Sequence, residues 1–220
     1  MVVLVGEMKV TALKLQARNP ARVNVHLDGQ FALALAKVLA ARLRLGQELS
    51  EADLAALRQA DAEEDAYARA LRLLSLRARS ETEIRRRLHQ HAAGPAGVDV
   101  VAARLRQAGL IDDQAFAGGW VENRGAFRPR SRRALQAELR RKGVAEEVVR
   151  QAVAKVDEAE AAYQAATRQA RRLAGLPLAD FRRRLTAFLA RRGFDYETIE
   201  VVVERVWREQ SADTLLHEED

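Results

Sequence analysis

The stretch Gly109-Leu110-Ile111-Asp112-Asp113-Gln114-Ala115-Phe116-Ala117 lies at the join between two copies of a repeated three-helix unit, and the second copy opens at Asp112. On either side of it the same apolar positions return. Leu135, Leu139, Gly143, Val149 and Val153 recur fifty residues later as Leu185, Leu189, Gly193, Ile199 and Val203. Ile84 and Leu88 precede Leu135 and Leu139 by 51 positions, and Val101 and Leu105 precede Val149 and Val153 by 48. Apolar residues four apart share one helix face. Each unit therefore reads as a leading helix, a basic helix, a glycine turn and an apolar helix. Repeats of this length stack, because one unit cannot bury its apolar face alone.

The boundaries follow from caps and breakers. The first leading helix is expected from about Asp65 to Leu76, and Ser80-Glu81-Thr82-Glu83 is a capping box that opens its basic partner. Gly94-Pro95 and Gly97 are expected to break the chain before the third helix. The second unit breaks near Arg128-Pro129 and resumes at Ser131. The third opens near Asp157, breaks at Gly175-Leu176-Pro177 and ends near Trp207. Ahead of the repeats the pattern is β. Val10, Leu13 and Leu15 lie in a mixed run, and Val23, Val25 and Leu27 alternate with polar neighbours. Asp28-Gly29 makes a two-residue hairpin turn before Phe31 and Leu33. A helix from Leu35 to Arg44 ended by Gly46, and another opened by Ser50, would cover the three-stranded sheet. The expected fold is mainly α: tandem three-helix, helix-turn-helix-like repeats with a small N-terminal β-hairpin-plus-helix appendage. The expected divisions are 1–60 for the appendage, 61–110, 111–156 and 157–209 for the repeats, and 210–220 for an acidic disordered tail.

Charge is distributed unevenly. Residues 1–64 carry eight basic and eight acidic side chains, whereas residues 65–212 carry 29 and 19. Of the 37 basic residues 32 are Arg, whose planar fork binds two phosphate or carboxylate oxygens at once. A GC-rich coding sequence would also enrich Arg and Ala, so composition alone leaves nucleic-acid binding open. The absence of cysteine excludes disulfides and thiolate metal sites. With neither a signal-peptide pattern nor a membrane-length apolar run, a cytoplasmic protein is expected, with no membrane partner.

No nucleophile–base pair, phosphate-cradling glycine loop or metal-ligand spacing is visible, so no enzyme, cofactor or metal site is expected. His89 and His91 are two apart and do not share a helix face. Ser80 and Ser131 read as helix caps. Asp112 and Asp113 read as an N-cap and a first-turn charge favoured by the helix dipole, in preference to a catalytic carboxylate pair. The basic helices are the better lead. Arg85, Arg86 and Arg87 lie on the first, and Arg182, Arg183 and Arg184 on the third. Arg128, Arg130, Arg132 and Arg133 crowd the start of the second, and Arg140, Arg141 and Lys142 close it. Stacked units would align these clusters into a stripe suited to a phosphate backbone or an acidic protein groove. The dipole accounts for cations at a helix end but not for Arg128 to Arg133 at a helix start. Phe116, Trp120, Phe188 and Trp207 fall at core spacings and read as packing. Acids at the starts of the third helices (Glu146, Glu147, Asp195 and Glu197) would meet phosphates badly, which weakens a sequence-specific DNA reader.

The chain resembles the RecX family at Arg77-Ala78-Arg79-Ser80 with Glu83, at the signature residues Gly109, Asp112, Asp113, Phe116, Ala117 and Trp120, at Val121 and Arg124, and at Leu139 with Lys142-Gly143-Val144. It departs from the family at Arg130-Ser131, where glycine is frequent, and in the Ala92 to Gly97 insert. The resemblance covers about Asp65 to Arg208. It implies an elongated, curved array of three-helix repeats and a monomer that binds the RecA recombinase filament, with single-stranded and also double-stranded DNA as partners. It further implies inhibition of RecA ATP hydrolysis, strand exchange and co-protease activity, within DNA repair and the SOS response. A helix of about 12 residues is about 18 Å long, so a stack of them would reach across neighbouring filament protomers. Two other classes stay open: an independent DNA-binding or transcription-regulating protein, and a generic helical-repeat scaffold.

Overall fold

Alternating apolar residues and one left-handed turn set the architecture of the first seventy residues. In the computed structural model, which describes residues 7–90 and 94–217 (side chains to 211), β1 (Met8–Gln16), β2 (Asn19–Leu27) and β3 (Gln30–Ala36) form an antiparallel meander. Asp28 and Gly29 both have positive φ (49° and 85°), the conformation a two-residue hairpin needs. A fourth strand, β4 (Glu48–Leu49), pairs with β1 and gives the order β3-β2-β1-β4, one strand more than the sequence pattern predicted. Val10, Val23, Val25, Leu27, Leu33, Leu35 and Leu49 are buried on the covered face.

Phe31 is 60% exposed, whereas Leu33 two residues on is buried. The register shifts between Val25↔Leu33 and His26↔Phe31, and one extra residue in β3 turns Phe31 to the opposite face. Leu35 and Ala36 extend β3, and the helix expected from Leu35 shrinks to the single turn α1 (Lys37–Ala40). The helices expected to begin at Ser50 and Asp65 are one helix, α2 (Glu51–Leu76), of 26 residues. No glycine or proline interrupts Glu51 to Leu76, and Ala, Leu, Glu and Arg dominate it, so nothing stops propagation. A division at residue 60 therefore falls inside a helix. Ser50 caps that helix through a reciprocal capping box with Asp53.

The chain forms two compact units. The first holds residues 1–79 and 83–111, the second residues 80–82 and 112–220. In the first, α2 is followed by α3 (Glu81–Leu88, from Glu83 onward) and α4 (Gly94–Gln107). Ala66, Ala70, Ile84, Leu88, Val98, Val101, Leu105 and Ile111 form its helical core. Gly94 and Pro95 open α4 rather than break the chain, and Gly97 is buried within the helix. Proline suits a first helical turn, where its missing N–H would have no partner. Residues 91–93, the start of the predicted insert, lie outside the described residues.

The second unit contains two full repeats. The first comprises α5 (Asp113–Phe127), α6 (Arg132–Arg141) and α7 (Glu146–Ala154). The second comprises α8 (Glu158–Ala170), α9 (Leu178–Arg191) and α10 (Tyr196–His217). The repeated positions do the same work in both: Leu135, Leu139, Val149 and Val153 are buried, as are Leu185, Leu189, Ile199 and Val203. Gly143 and Gly193 take positive φ (77° and 92°) at the ends of α6 and α9. A Cβ on Gly193 would sit 2.6 Å from Ser131 Oγ, and one on Gly143 would sit 2.4 Å from Thr82 Cβ. The glycines thus serve close approach as well as turning. The acidic end expected to be disordered from residue 210 is helical as far as His217, and residues 218–220 lie outside the described residues.

Candidate functional site

The signature carboxylates are helix caps. Asp112 accepts hydrogen bonds from the amides of Gln114 (2.8 Å) and Ala115 (3.1 Å), two donors that the first turn of α5 leaves unpaired. Asp113 is the expected acid in the first turn of α5, and its Oδ1 also accepts from the Glu81 amide at 2.8 Å. Burial pushes the Asp113 carboxyl above its ordinary range. The bond from Glu81 works against that shift, and the charges of Glu81 and Asp112 add to it. Ser131 caps α6 by accepting from Ala134 at 3.1 Å, while the Ser80 hydroxyl donates to the Lys142 carbonyl. Among the described residues no group of three or more His, Cys, Asp or Glu side chains could hold a metal.

Phe116 is buried and Trp120 half-buried in the α5–α7 core. The Trp120 Nε1 donates to Glu138 at 2.7 Å, and Arg124 donates to the same carboxylate at 2.9 Å. Arg130 pairs with its other oxygen at 3.1 Å. Burial alone would raise the Glu138 carboxyl. The hydrogen bonds from Arg124 and Trp120 and the charges of Arg124 and Arg130 outweigh it and hold the group below the usual carboxylate range. Sequence reasoning missed Glu138 and its cage. Its one signal was Glu138 beside Leu139 on the buried face of α6.

The structure sorts the candidate cations by what holds them. Arg85 pairs with Asp99, Arg182 with Glu204 and Arg183 with Asp180. Arg140 forks onto Glu146 at 2.7 and 2.6 Å. Arg132 donates to the Val156 carbonyl at 2.7 Å and lies 4.0 Å from Glu158. Arg141 bonds the Ala137 carbonyl one turn back, and the Lys142 ammonium sits 4.9 Å from the Trp120 ring centre. Arg130 and Arg132 at the start of α6 therefore have structural partners, contrary to the expectation that this position leaves its cations none. Arg86, Arg87, Arg128, Arg133 and Arg184 remain: all are exposed and, among the described residues, none pairs with a carboxylate.

Two cations outside the binding candidates, one exposed and one half-buried, also rest on carbonyls. Arg168 on α8 donates to the Ala126 carbonyl at 2.8 Å, and Arg192 at the end of α9 donates to the Pro129 carbonyl at 2.9 Å. Among the described residues neither has a carboxylate partner. A cleft of about 520 Å³ in the second unit is lined by Gly118, Gly125, Lys155 and the acids Glu122, Asp157 and Glu160. Pro129 and Arg130 also line it, so the cleft borders the connection that Arg192 bonds.

Fold and chemistry define a class: a mainly helical protein of three-helix units whose exposed chemistry is cationic. No described helix is long and apolar enough to cross a membrane. The comparisons give the class its family. Residues 8–50 match the regulatory protein RecX N-terminal domain. Residues 66–105, 112–153 and 157–213 match the first, second and third RecX three-helix domains. The regulatory protein RecX of Mycobacterium sp. (strain KMS) is 40% identical over 156 residues, covering 65% of this chain and 85% of that protein. That of Pelodictyon phaeoclathratiforme is 34% identical over 131 residues, covering 60% and 82%. A crystal structure of regulatory protein RecX superposes with a TM-score of 0.71 at 28% identity, covering 90% of this chain and 99% of that one. The RecX of Lactobacillus salivarius shares the fold at a TM-score of 0.58 and 19% identity, covering 67% and 97%. The chain belongs to the RecX family of regulatory proteins.

Proposed function

We propose that this protein is a negative regulator of the RecA recombinase in the bacterial cytoplasm. It acts as a monomer, without cofactor or intrinsic catalysis, and binds the RecA–single-stranded DNA filament. Binding inhibits ATP hydrolysis, strand exchange and co-protease activity, and so restrains DNA repair and the SOS response. The observation that carries this reading is the succession of four RecX modules along most of the chain. The exposed Arg side chains of the second helices support it. Surface cations without carboxylates contribute little to folding and are available to acidic protein or phosphate. Filament binding occludes a surface and needs no reacting group.

The test is RecA ATP hydrolysis on single-stranded DNA with and without this protein. Inhibition by this protein is expected. Unchanged hydrolysis with tight, salt-sensitive binding to bare DNA would favour the independent DNA-binding protein, and absence of both would favour the scaffold.

A further inference from the structure

Four guanidinium groups gather around the connection between α5 and α6. This connection, Arg128-Pro129-Arg130-Ser131, receives Arg168 on the Ala126 carbonyl and Arg192 on the Pro129 carbonyl. The Ser131 amide donates to the Arg192 carbonyl at 3.2 Å, so Arg192 is bound to the connection by both backbone and side chain. The Arg192 guanidinium lies 4.4 Å from the Phe188 ring centre. Its partial burial, and then the positive charges of Arg130, Arg128 and Arg168, push its pKa below the ordinary arginine value. Among the described residues Glu138 is the one carboxylate bonded to this set. It pairs with Arg130 and is shared with Arg124 and Trp120. Among the described residues Arg128, Arg168 and Arg192 have no carboxylate partner.

Folding explains part of this arrangement. Arg168 satisfies a carbonyl in the last turn of α5, where the helix dipole favours a cation. It does not explain why three like charges converge without a counter-ion, which is unfavourable in the free protein. Carbonyl partners orient a guanidinium without neutralising it and use one of its five N–H donors, so the remaining donors stay available. Beside them Phe127, the last residue of α5, is 73% exposed. A bare aromatic side chain next to oriented, uncompensated Arg groups combines the two elements that bind an unpaired strand: charge for the backbone and a ring for a base.

We infer that the α5–α6 connection, flanked by Arg168 and Arg192, is a binding site for single-stranded DNA. Arg128, Arg168 and Arg192 take phosphate oxygens, and Phe127 stacks on a base. The site deepens the proposed function, since it names the strand of the RecA–DNA filament as a direct contact. Single-stranded DNA is favoured over duplex because duplex bases are already stacked. It is favoured over an acidic polypeptide because a carboxylate side chain offers the ring no flat π-face.

The test uses the full chain and fluorescence anisotropy on a labelled oligothymidylate across a salt series. Arg128→Gln and Phe127→Ala are the chosen variants because, among the described residues, neither side chain makes a hydrogen bond or ion pair that holds the fold. R128Q should lower the magnitude of the salt slope by about 0.7, one phosphate contact. F127A should weaken binding about tenfold with the slope unchanged. It should bind an abasic strand of the same length as the wild type does. Arg208→Gln, at a side chain paired with Glu204, should leave both readings unchanged. Wild-type affinity and slope in both R128Q and F127A would overturn the site. So would an F127A defect equal on normal and abasic strands, or stronger competition by polyglutamate than by oligothymidylate. RecA ATP hydrolysis measured in parallel separates the two claims. Inhibition retained without these DNA effects sinks the site alone, and DNA effects without inhibition sink the regulatory reading alone.

Discussion

Arg22 and Arg192 are both half-buried arginines, one in each unit, and their surroundings are opposite. Arg22 on β2 donates to Asp61 at 2.8 and 3.1 Å, to Asp65 at 3.1 Å and to the Ala34 carbonyl at 2.8 Å. Two carboxylates and a carbonyl thus surround one guanidinium, and Asp61 also accepts the Ala36 amide at 2.6 Å. The result ties β2 and β3 to α2. Arg192 has a carbonyl partner, an aromatic ring and three other cations. Where this protein uses arginine for folding, it places carboxylates around it. Where the carboxylates are missing, as around Arg192, the proposed role of the charge is binding. The same contrast divides the candidate residues, with Arg140, Arg182 and Arg183 paired and Arg86, Arg87, Arg128, Arg133 and Arg184 left open.

The largest effect is expected at the fully compensated site. Asp61→Ala removes the more buried of the two carboxylates on Arg22, leaving it Asp65 and the Ala34 carbonyl, and takes the Asp61 acceptor from the Ala36 amide, which together should cost about 3 kcal/mol in urea unfolding of the first unit. A cost below about 0.5 kcal/mol, the level of an exposed pair, would erase the distinction between the two arginines.

Glu138 lies between these extremes, a buried carboxylate shared by two arginines and a tryptophan. Glu138→Gln keeps the shape and removes the charge, at an expected cost of about 2 kcal/mol near neutral pH. The folded-state pKa is below the unfolded value, so this stabilisation is fully present above about pH 4.3 and is lost as pH falls through the depressed folded pKa. The gap between wild type and E138Q should therefore close in acid. Asp113 has the opposite sign. Its folded pKa is raised, so its ionisation disfavours the fold as pH rises through that range. An acid limb identical in wild type and E138Q would show that the cage contributes no linkage.

Smaller again is the cap. Asp112→Ala should cost about 1 kcal/mol of stability and leave binding in the folded protein intact. Normal stability with abolished binding would instead make Asp112 a direct contact.

The sequence carried the repeat well and its electrostatics poorly. Leu139, Leu189, Val149 and Ile199 were legible because a helix core is written at spacings of three and four. Gly143 and Gly193 were legible because a turn needs glycine, and Asp112 and Ser131 because caps are local. The exposure of Phe31 was not legible, because a bulge depends on the partner strand. The continuity of α2 was missed because Ser50 and Asp65 were read as separate helix starts, although the backbone between them has no breaker. The partners of the arginines were illegible for a different reason. Glu138 gathers Trp120 from 18 residues away, and Arg192 reaches Pro129 across 63. No local pattern encodes such distances.

The open arginines should contribute least to stability. Arg128→Gln with Arg133→Gln should change unfolding by less than about 0.5 kcal/mol, because exposed charges stabilise little. Their effect belongs to binding, and RecA ATP hydrolysis on single-stranded DNA reads it directly. Wild-type protein should suppress hydrolysis. The Arg128→Gln, Arg133→Gln variant should require several-fold more protein for the same suppression. Arg205→Gln with Arg208→Gln, at residues paired with Glu209 and Glu204, should behave as wild type. Equal loss in both double variants would mean that bulk charge rather than uncompensated arginine drives the interaction, and absence of suppression by the wild-type protein would contradict the account at its root.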